Sequence, residues 1–156
     1  MSNRDIVNRE LVNDFLVKLF NQIIDIEQLY MVKNGIVGLS VSELHLLDTI
    51  STFTNPTMSE IAQKATLTNG TITTAVKKLE SKGCLERKKD PNDRRIIRVI
   101  ITNKGHQAIS VHNEFHDDMV ARICDEQTLV ENDVFIKALR QLTYFFEETK
   151  EALNDK

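Results

Sequence analysis

Residues Thr57 to Gly105 read TMSEIAQKATLTNGTITTAVKKLESKGCLERKKDPNDRRIIRVIITNKG, and the order of patterns in this stretch decides the fold. Thr57 or Ser59 can cap a short helix over Met58 to Ala65, because a hydroxyl before the first turn accepts from an otherwise orphaned backbone N–H. A polar-flanked turn, Thr66-Leu67-Thr68, leads into a second helix from Gly70 to Lys82, where Ile72, Ala75, Val76 and Leu79 recur at helical spacing and Gly83 ends the run. Beyond Gly83 the pattern alternates: Cys84, Glu86 and Lys88 against Leu85 and Arg87, then a β-branched run from Ile96 to Thr102. Between the two lies Asp90-Pro91-Asn92-Asp93, where proline fixes its own φ and the Asx side chains satisfy local backbone groups. Two short helices with a tight turn, followed by a β-hairpin with a basic tip, make a winged helix-turn-helix.

Working outward, Leu11, Phe15, Leu16, Leu19, Phe20, Ile23, Ile24 and Ile26 mark a long amphipathic helix broken at Lys33-Asn34-Gly35. Its apolar face is wide enough to serve a core and a partner subunit together. Ser40 or Ser42 opens another helix, with Glu43 at the capping-box position after Ser40 and Leu44, Leu46, Leu47 and Ile50 inward; it ends near Thr54-Asn55-Pro56. From Lys104 onward two more helices are expected, split near Asp125-Glu126. The fold class is therefore mainly α with a small β-hairpin wing: a winged helix-turn-helix with N- and C-terminal dimerisation helices. One chain over 1–156 carries a reading lobe at 41–105 and a helical dimerisation region at 1–36 and 104–156.

With 156 residues, 41 % of them hydrophobic and 28 % charged, and only two prolines and five glycines, the chain can bury a proper core without staples. Arg4, Asp5, Arg9 and Glu10 interrupt the start of the chain, which excludes a signal peptide there, and no stretch approaches the length of a membrane span. A cytoplasmic protein with no membrane association is expected. Cys84 and Cys124 form no CxxC or Cys/His pattern, so both read as reduced packing residues and thiol sensing is not expected.

The net charge of −3 conceals a sharp sorting. Thr57 to Gly105 carries eleven basic against five acidic side chains, +6, while the rest carries nine against eighteen, −9. A basic middle between acidic flanks implies a polyanionic partner for the middle alone. On the second helix of the motif, Thr71, Thr73, Thr74, Lys77 and Lys78 occupy the face opposite the apolar one. Small hydroxyl side chains there let the helix sit deep in a major groove while the lysines reach phosphates. Asn69 and Gly70 mark the entry, where free N–H groups suit a phosphate. At the hairpin tip Arg94 and Arg95 can enter a minor groove, and Asp93 can brace one guanidinium. Double-stranded DNA is the partner these features fit.

Met58-Ser59-Glu60-Ile61-Ala62, the segment Gly70 to Gly83, and above all Asp90-Pro91-Asn92-Asp93-Arg94-Arg95 followed by Ile101-Thr102-Asn103-Lys104-Gly105 resemble the MarR family of bacterial regulators. The Asp-x-Arg wing signature falls on Asp93 and Arg95, and Ile101 stands in the leucine position of a Leu-Thr-x-x-Gly ending. The resemblance implies a homodimer with intertwined terminal helices that addresses an inverted repeat. Thr68 to Thr74, Phe115-His116-Asp117-Asp118-Met119-Val120 and Phe20 to Glu27 resemble the branch of that family that represses fatty-acid synthesis in lactic-acid-type Gram-positive bacteria. What this implies is transcription regulation of fatty-acid biosynthesis, with long-chain acyl-acyl carrier protein as co-repressor and no bound cofactor. An acyl slot would be lined by Phe20, Ile24, Leu46, Leu47 and Ile50, residues that core packing also explains. The rival expectation is a repressor of efflux or catabolic genes released by a small aromatic ligand.

Catalysis finds no foothold. There is no Gly-rich phosphate loop and no nucleophile elbow. His112 and His116 stand i, i+4 and could bind zinc, but Glu114 does not fit HExxH and no third ligand is evident. His45 and His116 are read as structural, and no metal site is expected.

Overall fold

The computed structural model describes the backbone of residues 3–124 and 127–154, and the side chains of 8–124 and 129–153. Its elements run α1 Asn3–Lys33, α2 Val41–Ser51, α3 Met58–Ala65, α4 Asn69–Ser81, β1 Leu85–Lys89, β2 Ile97–Ile101, α5 Asn103–Cys124, α6 Gln127–Val130 and α7 Asp133–Asn154. The chain divides into two compact units, Met1–Phe115 and His116–Lys156. The expected mainly helical winged helix-turn-helix is what forms.

In the first unit each helix of the reading lobe starts at a hydroxyl. Ser40 and Thr57 both make capping boxes: each side chain accepts from the backbone N–H three residues on, and Glu43 or Glu60 returns the bond. Of the alternatives open in the sequence, the earlier residue caps in both cases. Thr68 caps α4, its Oγ1 accepting from Thr71 N at 3.2 Å. The turn before it places Thr66 at φ 54°, a left-handed conformation that a β-branched residue adopts only under local constraint; Leu67 N donates to Ala62 O at 3.0 Å across it. α2 ends at Ser51, earlier than Thr54-Asn55-Pro56, because Ser51 and Thr52 hydroxyls turn back onto the carbonyls of Asp48 and Thr49.

The core lies among Leu44, Leu47 and Ile50 of α2, Ile61 of α3, Ile72, Val76 and Leu79 of α4, Leu85 and Val99 of the hairpin and Met31 of α1, all 2 % exposed or less. Fully burying a side chain of this size contributes roughly 1.5–3 kcal/mol. β1 and β2 pair antiparallel from Leu85↔Ile101 to Lys89↔Ile97. Residues 56–57 flank this hairpin, Val99 N donating to Pro56 O at 2.8 Å and Thr57 bridging Arg98. α5 begins against the hairpin's base: a Cβ on Gly105 would overlap the Cys84 carbonyl and come within 2.7 Å of Ile101 Cγ2. Glycine in the Ile101-Thr102-Asn103-Lys104-Gly105 run is thus demanded by packing.

The second unit holds the end of α5, α6 and α7. Where a single break between two helices was expected, the four-residue α6 intervenes; Asp125 and Glu126, the expected break, lie outside the described residues. Asn132 Oδ1 accepts from Val134 N and Phe135 N at the head of α7. Large apolar side chains stay open to solvent on α1, among them Phe15, Phe20 and Ile24, and separately on α7, among them Val134, Tyr144, Phe145 and Phe146. None of the described helices is long and apolar enough to cross a membrane.

Candidate nucleic-acid interface

α4 turns Ile72, Val76 and Leu79 fully inward, which leaves Asn69, Gly70, Thr71, Thr74, Lys77 and Lys78 exposed and Thr73 half-exposed. The structure therefore gathers every expected reading residue on one outward face. The hydroxyls have defined partners. Thr73 Oγ1 donates to Asn69 O at 2.7 Å and Thr74 Oγ1 to Gly70 O at 3.1 Å. With its proton held by the helix, each threonine offers outward only oxygen lone pairs and a methyl group. Those groups suit amino donors of adenine or cytosine and the methyl of thymine. Thr71 Oγ1 lies 2.9 Å from Thr68 Oγ1 and is tied into the cap. At Gly70 an added Cβ would meet only Thr68 Oγ1, at an ordinary 3.9 Å, so the fold itself leaves room for a side chain and the bare backbone serves whatever approaches from outside.

The wing tip is braced twice. Asp93 takes Arg95 in a two-pronged pair, Oδ1 to Nε and Oδ2 to Nη2, both at 3.1 Å, and also accepts from Arg95 N at 3.0 Å. These bonds from Arg95 hold the Asp93 carboxyl below its ordinary range. The Arg95 side chain is nonetheless 91 % exposed, so its orientation is fixed while its charge faces outward. Arg94 beside it is exposed. The expected pairing of Asp93 with one of the two arginines resolves to Arg95.

The deeper brace escaped the sequence reading. Asp90 is buried, accepts from Asn92 N at 2.8 Å and Asp93 N at 3.3 Å, and receives Arg98 Nε at 2.7 Å. The Arg98 bond, followed by that from Asn92, lowers the Asp90 pKa. Arg98 Nη1 also donates to Asn55 O at 3.1 Å, tying the wing to the segment before α3. Half of this was legible, since an aspartate opening Asp-Pro-Asn-Asp is an Asx-turn former; the Asn55 contact, 43 residues away, left no local signal. Glu80 likewise clamps Arg87, with Oε2 at 2.8 Å from Nε, and joins α4 to β1. Lys82, at the end of α4, lies 2.6 Å from Glu43 at the head of α2. Burial pushes the Glu43 carboxyl up, but the Lys82 and Ser40 bonds together outweigh it and its pKa falls.

Of the residues expected to line an acyl slot, Leu46, Leu47 and Ile50 belong to the packed core, and Phe20 and Ile24 are half-exposed on α1. Among the cavities described, one of about 190 Å³ includes Ile50, together with Phe53, Pro56, Val99 and His106, and none includes the other four. Cys84 is fully buried, and burial raises its thiol pKa, the reverse of what a thiolate sensor needs.

Residues 39–97 match the MarR family, and the whole fold superposes on the crystal structure of Streptococcus pneumoniae FabT in complex with DNA, with a TM-score of 0.80 and 31 % identity over 90 % of this chain and 99 % of that one. The chain belongs to the MarR family. It is a DNA-binding transcriptional regulator of that family and not an enzyme. Two curated MarR-type relatives are Bacillus subtilis proteins. The HTH-type transcriptional regulator MhqR is 36 % identical over 86 residues, 55 % of this chain and 57 % of its own length. The uncharacterised HTH-type regulator YdgJ is 29 % identical over 104 residues, 64 % of this chain and 63 % of its own. The chain thus spans about three fifths of the length of these curated relatives.

Proposed function

We propose that this MarR-family chain is a homodimeric repressor of fatty-acid biosynthesis genes that binds an inverted-repeat operator, with long-chain acyl-acyl carrier protein as its co-repressor. The observation that carries the DNA-reading part is the outward face of α4 beside a rigid basic wing. α4 enters the major groove with Thr73 and Thr74 toward base edges, while Lys77 and Lys78 meet phosphates and Arg94 and Arg95 enter the neighbouring minor groove. Two copies place two reading helices on half-sites about one helical turn apart, roughly 34–36 Å. The exposed apolar faces of α1 and α7 are what a partner subunit would cover.

The fatty-acid part is supported by likeness to FabT over nearly the full chain and by the runs Thr68–Thr74, Phe115–Val120 and Phe20–Glu27. Leu46, Leu47 and Ile50 are packed in the core while Phe20 and Ile24 are half-exposed, so recognition of the acylated carrier would draw on the open face of α1. A binding titration against duplexes from fatty-acid synthesis promoters, with and without long-chain acyl-acyl carrier protein at fixed salt, tests the reading. Tighter binding with the acylated carrier is expected. Absence of binding to those promoters would return the chain to regulation of efflux or catabolic genes.

A further inference from the structure

The packing of α1, α2 and α5 in the first unit brings together three side chains that lie far apart in sequence. Glu27 of α1 is 1 % exposed and His112 of α5 5 % exposed. His112 Nε2 stands 3.2 Å from Glu27 Oε1, and His45 Nε2 of α2 stands 3.6 Å from the same oxygen. The two imidazoles meet edge to face, with ring centroids 5.2 Å apart. Glutamate, His45 and His112 thus each offer a donor atom, all within 4.8 Å of one another. His112, which in the sequence had only a helical neighbour as a possible co-ligand, thus has two further donors beside it.

His112 Nδ1 lies 3.2 Å from Asn113 Oδ1; with an Nδ1 proton turned to that oxygen, the Nε2 lone pair faces the Glu27 carboxylate. Such an outer partner is the usual means of orienting a metal-bound histidine. A cation between these groups serves all lines of contact together: with bonds of roughly 2.0–2.2 Å in a tetrahedron, neighbouring donor atoms stand about 3.3–3.6 Å apart, close to the 3.2 and 3.6 Å found here.

We propose that Glu27, His45 and His112 bind one divalent transition-metal cation of the zinc class, with water in the remaining position. Two imidazoles and one carboxylate are a donor set for zinc and its first-row neighbours, whereas calcium and magnesium demand oxygen ligands. Glu27 is buried and neutralises half of the ion's charge. His45, exposed on one side, gives the ion its path from solvent. The site would join α1, α5 and the first helix of the reading lobe independently of which operator the dimer reads.

The test is equilibrium competition for Zn²⁺ between the full-length protein and a chromophoric chelator, on wild type and on His45→Ala, Glu27→Gln and His106→Ala. One ion per chain is expected. Loss of His45 or of the Glu27 charge should weaken binding by more than the roughly 10–100-fold that removal of an outer-shell partner costs, and Asn113→Ala should fall within that range. His106 lines a different cavity and its loss should change nothing. Co²⁺ added to wild type should give the intense visible absorption of a four-coordinate ion, and Mg²⁺ and Ca²⁺ should not compete. His45 is a surface residue, so its truncation leaves the buried packing in place; circular dichroism confirms the fold. No uptake by wild type, or uptake that His45→Ala and Glu27→Gln leave intact, would overturn the proposal and leave a buried imidazole–carboxylate pair.

Discussion

At the scale of single residues, the interface divides labour by what each side chain has left to offer. Thr73 and Thr74 have spent their protons on Asn69 O and Gly70 O, so on the proposed reading they would discriminate bases through lone pairs and methyl groups. Replacing either by valine keeps shape and helix packing while removing the acceptor. Each should therefore alter the ranking of operator variants by roughly 1–3 kcal/mol per lost discriminating contact, read from competition titrations over a set of point-changed operators. An unchanged ranking would show that this face is not the reader. Arg95 acts otherwise. Held by Asp93 yet exposed, its guanidinium meets backbone and groove potential, so Arg95→Ala should weaken binding to all duplexes alike and reduce the salt slope by about 1.

At the scale of elements, two junctions carry the architecture. The head of α5 packs so closely on Cys84, just before β1, and on Ile101 at the end of β2 that only a hydrogen fits at Gly105. Gly105→Ala must displace the Cys84 backbone or Ile101, and overpacking of this kind costs roughly 1–3 kcal/mol; denaturant unfolding of the purified variant measures it. The wing and the lobe base depend instead on carboxylates. Glu43, Asp90, Asp93 and Glu80 all have lowered pKa values, for the last chiefly through its Arg87 bond. A depressed carboxylate contributes stability that is fully present above its unfolded value and lost as the pH falls through the folded one. Stability should thus be flat in these groups from pH 7 to about 5 and should decline below the ordinary values of 4.5 and 3.8. A melting series across that range would show it, and Arg98→Met should flatten the part due to Asp90.

At the scale of the whole molecule, the apolar surface left open on α1 and α7 is too extensive for chance. Phe15 is 61 % exposed and Phe145 58 %, and exposed aromatics grouped on a helix face mark an interaction surface. Phe15→Glu and Phe145→Glu, each placing a charge on such a face, should shift the chain from dimer to monomer in analytical ultracentrifugation. DNA affinity should fall with it, because a monomer engages one half-site. A variant that stays dimeric would show that its helix lies outside the subunit interface.

Much of this was open to reading in one dimension. Capping hydroxyls at Ser40, Thr57 and Thr68, the helical spacing of Ile72, Val76 and Leu79, and the turn chemistry of Asp90-Pro91-Asn92-Asp93 are local signals, and local physics acts on them the same way wherever they occur. They determined the helix-turn-helix, the wing and the outward face of α4 without reference to the rest of the chain. What only the tertiary structure decided are meetings between distant residues. Arg98 reaches Asn55, Gly105 presses on Cys84, Lys82 lies against Glu43, and Glu27 joins His45 and His112. Leu46, Leu47 and Ile50 went to the core, the role their pattern favoured over an apolar slot with Phe20 and Ile24. Periodicity states which face of a helix is apolar, and it is silent on what that face will meet. That choice follows from the packing of the folded chain, where one buried carboxylate can gather two imidazoles from helices that share no local sequence signal.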